Sequence, residues 1–130
     1  MKRNARFGTL LMAGTSLAVG IGACDSGPNA PEPGTFLVEV TSNTGPPGGA
    51  IVTLEGAIVE LIPESGRAFH RATPGGMRAA IVGTEGEALR FRVRVPDASH
   101  PPTATVEDVV SFGNERISTS PYRATVTSAP

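Results

Sequence analysis

The chain has 130 residues, with 11 Lys and Arg against 12 Asp and Glu and a formal net charge of −1. That is enough for one small domain and no more, and the near-neutral balance excludes the basic surface that nucleic-acid binding requires. One cysteine excludes an intrachain disulfide. With no Trp, one Tyr and five Phe, a core must be built from aliphatic side chains.

The first element is a leader. Lys2, Arg3 and Arg6 form a positive start, and Phe7 to Ala23 carries no charge and is rich in Leu, Val, Ile, Ala and Gly. That is the anatomy of a secretory signal peptide, which takes no part in the fold. The rival reading is a retained transmembrane helix, but this run sits at the bottom of the roughly 17–25 residues a span needs, and glycines dilute it. Ile21-Gly22-Ala23-Cys24 is an aliphatic residue, two small residues and the lone cysteine. It resembles the lipobox of bacterial lipoproteins. The resemblance implies cleavage after Ala23, a lipidated Cys24 as first mature residue, and anchoring by several acyl chains, each buried CH₂ contributing about 0.8 kcal/mol. The expected location is the extracytoplasmic side of the cell envelope. Asp25 resembles an inner-membrane retention signal of some Gram-negative bacteria; inner and outer membrane both stay open. From Cys24 onward eight arginines face 12 acidic residues, so the mature chain is net acidic.

Residues 24–34 hold the cysteine and the run "DSGPNAPEPG", which reads as a Pro/Gly-rich tether. Residues 35–130 are expected to form the folded domain. "TFLVEVTS" alternates, placing Phe36, Val38 and Val40 on one face. "NTGPPGG" is strong turn punctuation. "AIVTLEG" places Ala50, Val52 and Leu54 opposite Ile51, Thr53 and Glu55, and "AIVELIP" reads as a strand ending at Pro63. "RAFHRAT" is a weak strand pattern and "MRAAIVG" a better one. In "EALRFRVRVPD", Leu89, Phe91, Val93 and Val95 alternate with Arg90, Arg92 and Arg94, the pattern of a strand buried on one side and wet on the other. "TATVEDVVSF" alternates with an irregularity near Glu107-Asp108, "GNER" reads as a turn, and "YRATVTS" as a last strand through Tyr122, Ala124 and Val126. No window keeps a 3.6-residue period. Seven or eight short strands with regular turn signals predict an all-β antiparallel sandwich of immunoglobulin-like size.

The apolar positions from Val38 to Phe112 resemble those of a bacterial cohesin-type β-sandwich. Leu89, Phe91 and Val93 fall on an L-x-F-x-V strand, and Ala104, Val106 and Val109 on an A-x-V-x-x-V strand. The resemblance implies a sandwich that serves binding, and assigns no functional residue.

Chemistry-bearing constellations are few. Arg90, Arg92 and Arg94 form a cationic stripe. It reads either as a ligand-facing surface for an anionic glycan, phosphate or acidic partner, or as a solvated face cross-paired with Glu39, Glu55 or Glu60. The second is favoured, since exposed pairs are common and contribute only ~0–1 kcal/mol. His70 and His100 lack zinc-ligand spacing. No calcium loop pattern surrounds Asp97, Glu107 or Asp108, although a loop site using Asp97 or Asp108 stays open. There is no Gly-x-Ser-x-Gly elbow and no phosphate-cradling loop, so neither catalytic residues nor a cofactor are expected. Phe69, Phe112 and Tyr122 are too few for a sugar-stacking platform and are assigned to the core. The expected function is a lipid-anchored, non-catalytic binding or adhesion module with a protein or polysaccharide partner. A structural accessory subunit of an envelope complex is the alternative, and a small hydrolase the remote one.

Overall fold

The computed structural model describes residues 30–130. The leader, Cys24 and most of the tether lie outside the described residues. Nine strands follow in order: β1 (Gly34–Ser42), β2 (Gly49–Glu55), β3 (Glu60–Pro63), β4 (Arg67–Thr73), β5 (Gly76–Val82), β6 (Leu89–Val95), β7 (Thr103–Val110), β8 (Arg116–Ile117) and β9 (Tyr122–Ser128). They form two antiparallel sheets, a four-stranded one in the order β3-β6-β1-β9 and a five-stranded one in the order β4-β5-β2-β7-β8. The all-β sandwich expected from the alternation is what the chain forms, with no helix among the described residues.

Only β4–β5 and β7–β8 are joined within one sheet; every other connection crosses between the layers. The core is the meeting of two inner faces. One sheet contributes Phe36, Val38, Val40, Leu61, Leu89, Phe91, Val93 and Val95; the other contributes Ala50, Val52, Leu54, Met77, Ala79, Ile81 and Val109. Each set is spaced by two along its strand, because successive side chains point to opposite faces. Among the described residues no polar side chain is buried. The interior is therefore sealed by aliphatic burial, at roughly 25 cal/mol per Å² of apolar surface removed from water.

Turn chemistry sets the joints. Pro74-Gly75 closes the β4–β5 hairpin, with Gly75 at φ 83°, a backbone state that L side chains resist. At the start of β2 the chain passes close beneath the end of β7. A Cβ on Gly48 would lie 2.5 Å from the Ser111 carbonyl oxygen and from the Phe112 nitrogen.

Two elements differ from the sequence reading. Ala57, Ile58 and Val59 do not join β3; the chain crosses between sheets there, and pairing with β6 begins at Glu60 opposite Arg94. Part of "GNER" is paired rather than free. Asn114, at φ 62°, turns the chain so that Arg116 and Ile117 lie beside Val110 and Val109 as β8.

The tether enters at one end. Glu32 accepts a backbone hydrogen bond from Ala98 (2.7 Å), and Gly34 pairs with Val95. The Asp97–His100 loop and the Pro74-Gly75 turn share that end. The loops 43–48, 83–88 and 111–115 form the opposite, far end.

Candidate functional site

The outer face of the four-stranded sheet carries the arginine stripe, and each guanidinium of the stripe meets a carboxylate. Arg90 sits directly across from Glu39 on β1 and donates through Nε to its carboxylate. Arg92 Nε donates to Glu64 at 2.8 Å, just past the end of β3. Arg94 sits across from Glu60 on β3 and donates to it at 3.1 Å. All three arginines are about half exposed, so each pair contributes ~0–1 kcal/mol. The charge of the stripe is locally cancelled, while Arg123 on β9, across from Thr41 on the same face, has no carboxylate in ion-pair contact. Of the three partners expected, Glu39 and Glu60 hold arginines of the stripe and Glu55 does not. It ends β2 in the other sheet, and Glu64 takes the third place. Tyr122 packs against the core as expected.

The outer face of the five-stranded sheet is different, and four cross-strand rows describe it, the one at the tether end being Thr73, Gly76, Glu55 and Thr103. The row nearest the far end runs Arg67, Val82, Gly49, Val110, Arg116. The next runs Phe69, Ala80, Ile51, Asp108, and the third Arg71, Arg78, Thr53, Thr105. The half near the far end is therefore apolar and the half near the tether polar. Phe69 is 63% exposed and Val82 50% exposed. Gly49 contributes no side chain, so a shallow apolar depression opens between Ile51, Ala80, Val82 and Val110.

This face corrects the assignment of Phe69 and Phe112 to the core. Phe69 lies on the solvent side of edge strand β4, and Phe112 follows β7 with 43% exposure. The signal was present in "MRAAIVG". Its unbroken apolar run places Ala80 and Val82 on the face opposite Ala79 and Ile81, a strand apolar on both sides.

The polar half is organised by a bulge. Ile51 pairs with Asp108 and Val52 with Val106, so Glu107 is the extra residue on β7. That is the irregularity read near Glu107-Asp108, and it explains why the inward positions run Ala104, Val106, Val109. The Glu107 carboxylate accepts from the Thr53 hydroxyl and, at 2.8 Å, from Arg78 Nε. These bonds, the Thr53 one first, hold its carboxyl below the ordinary glutamate range. Beside it, Asp108 accepts from Arg116 at 2.7 Å and from the Val109 amide at 3.0 Å.

One loop brings serine, histidine and aspartate together. The Ser99 hydroxyl donates to Asp97 at 2.6 Å, and His100 Nδ1 lies 3.0 Å from the same hydroxyl and 2.8 Å from the other Asp97 oxygen. The Ser99 amide also bonds Asp97, and the Ser99 bonds lead in holding the Asp97 carboxyl below its ordinary value. A proton relay needs the two imidazole nitrogens to serve different partners. Here one nitrogen faces both and the ring is 83% exposed, the geometry of a local turn. His70 lies on exposed β4, far along the chain from this loop. Among the described residues no group of three or more His, Cys, Asp or Glu side chains is placed to hold a metal ion. Cys24 and Ala23 lie outside the described residues.

Comparison of the chain with protein-family models, with curated proteins and with solved structures finds no match.

Proposed function

We propose that the chain is a lipid-anchored, extracytoplasmic β-sandwich of the cell envelope, a non-catalytic binding or adhesion module. The anchor is Cys24 after cleavage behind Ala23, and residues 24–34 are the tether. The observation that carries the binding role is the division of the five-stranded face. Its apolar half, with exposed Phe69 and Val82 and half-buried Ile51, lies at the end away from the point where the tether joins β1. A tethered domain presents that end outward, away from lipid. Exposed apolar surface rimmed by charge marks interaction sites in soluble domains. The likeness of the apolar positions to cohesin-type sandwiches supports the same role. The stripe of Arg90, Arg92 and Arg94 contributes less to this reading, because Glu39, Glu64 and Glu60 already engage it.

The test of anchoring is the intact mass of the protein purified from membranes of the native cell. The proposal expects Cys24 at the N-terminus carrying a diacylglyceryl thioether, and Cys24→Ser to leave the membrane fraction. A bare Cys24 thiol in that fraction ends the proposal.

A further inference from the structure

Strand β4 is an edge of the five-stranded sheet: it pairs with β5 on one side and hydrogen-bonds with no strand on the other, although β3 of the facing sheet lies near it. Such an edge offers a row of main-chain donors and acceptors to any extended segment. The other edges are less available. β3 has four residues and ends in Pro63, and β8 has two. β9 lies against β7, and its Ala124 and Val126 are packed on the core.

β4 turns Arg67, Phe69, Arg71 and Thr73 outward, with a phenyl ring between two guanidinium groups at two-residue spacing. Of the eight arginines in the described residues, five ion-pair with an Asp or Glu carboxylate. Arg67 and Arg71 are among the three that do not, and the third, Arg123, is on β9. Two unmatched cations on one edge of a net acidic chain are a local feature. Arg71 also stands directly across from Arg78, whose charge Glu107 already engages, so Arg71 is left without a carboxylate in ion-pair contact. A second copy of β4 does not supply one, since antiparallel self-pairing gathers four guanidinium groups on one sheet edge.

We infer that the β4 edge accepts an extended acidic peptide segment as an added strand, with carboxylates against Arg67 and Arg71 and an apolar side chain against Phe69. This rests on the binding-module reading and specifies its partner: a protein segment of the pattern acid-x-apolar-x-acid. Main-chain pairing supplies affinity and the alternate side chains supply specificity, as in other strand-addition complexes. Charge complementarity sets the preference among strands.

The test uses the full-length chain, isotope-labelled and held in a zwitterionic detergent. The probe is a blocked peptide, Thr-Glu-Thr-Val-Thr-Glu-Thr, with a twin in which Lys replaces both Glu. Amide shifts on titrating the acidic peptide are expected to concentrate on β4, with the lysine twin binding at least about tenfold more weakly. Arg67→Glu with Arg71→Glu reverses the order of the two peptides. If that double variant fails to give a folded spectrum, Arg67→Gln with Arg71→Gln serves instead and is expected to abolish the preference. Equal binding of both peptides, shifts centred on β9 or on the Arg90–Arg94 face, or no shift at millimolar peptide overturns the proposal. So does an acidic oligosaccharide that displaces the peptide from β4 and binds more tightly. A bare Cys24 thiol would end the anchoring and leave this edge as it is; an edge indifferent to the acidic peptide would end this inference and leave the anchoring standing.

Discussion

Arg78 on β5 donates to Glu107 on β7 across 2.8 Å, although β2 lies between their strands. The bulge makes this reach feasible. By adding one residue to β7 it swings the Glu107 side chain over Thr53, and the carboxylate spans the intervening strand. Arg78 is then neutralised while it faces Arg71 across the β4–β5 pair.

Glu107→Gln keeps the shape and removes the charge. The native carboxyl titrates below its ordinary value, so its contribution is fully present above the unfolded-state pKa and is lost as pH falls through the lowered folded one. The stability gap between wild type and Glu107→Gln is therefore expected to be open at neutral pH and to close in acid. Urea denaturation at a series of pH values measures it. A gap that widens on acidification would show that the Arg78 and Thr53 contacts do not favour the ionised form.

Phe91 is fully buried, opposite Val38 on β1 and Pro63 on β3. Phe91→Ala is expected to cost ~3–5 kcal/mol, a large share of the stability of so small a domain. Loss of the cooperative thermal transition is the expected readout.

Much of this was legible in the sequence because one face of each long strand is sealed. Where burial is one-sided, the period of two is strict, and Phe36–Val40, Ala50–Leu54 and Leu89–Val95 all point inward as read. The bulge also showed, as the break between Val106 and Val109. What alternation cannot convey is which strand lies beside which. Glu55 was expected to meet the arginines and Glu64 was not, and only the order β3-β6-β1, which leaves β2 in the other sheet, separates them. Nor does alternation tell whether an outward apolar side chain is covered. Phe69 sits on an edge strand with solvent on its outer face, so an aromatic in a weak pattern was assigned inward. The proposed anchor, by contrast, rests on the leader sequence alone.

The Arg92–Glu64 pair is half exposed and spans 2.8 Å. Arg92→Glu is expected to lower stability by no more than ~1 kcal/mol. A double-mutant cycle of Arg92→Ala and Glu64→Ala should give a coupling of ~0.2–1 kcal/mol that shrinks in high salt. Outright unfolding of Arg92→Glu would mean that this face is not wet.

Gly48→Ala places a methyl 2.5 Å from backbone atoms of Ser111 and Phe112. Neither can rotate away, so the β2 start and the β7 end must separate. A cost of ~1–3 kcal/mol is expected, together with faster amide exchange in residues 110–116 than elsewhere. Unchanged stability would contradict the close passage of these two segments.

The central claim is that the two outer faces differ in purpose, one a cancelled arginine–glutamate ladder and the other a surface for a partner. Site-specific photocrosslinking in intact cells tests it most directly, with the photoreactive residue placed at Val82 on one face and at Arg92 on the other. The account predicts discrete adducts from position 82 and none from position 92. Adducts from position 92 alone would contradict it.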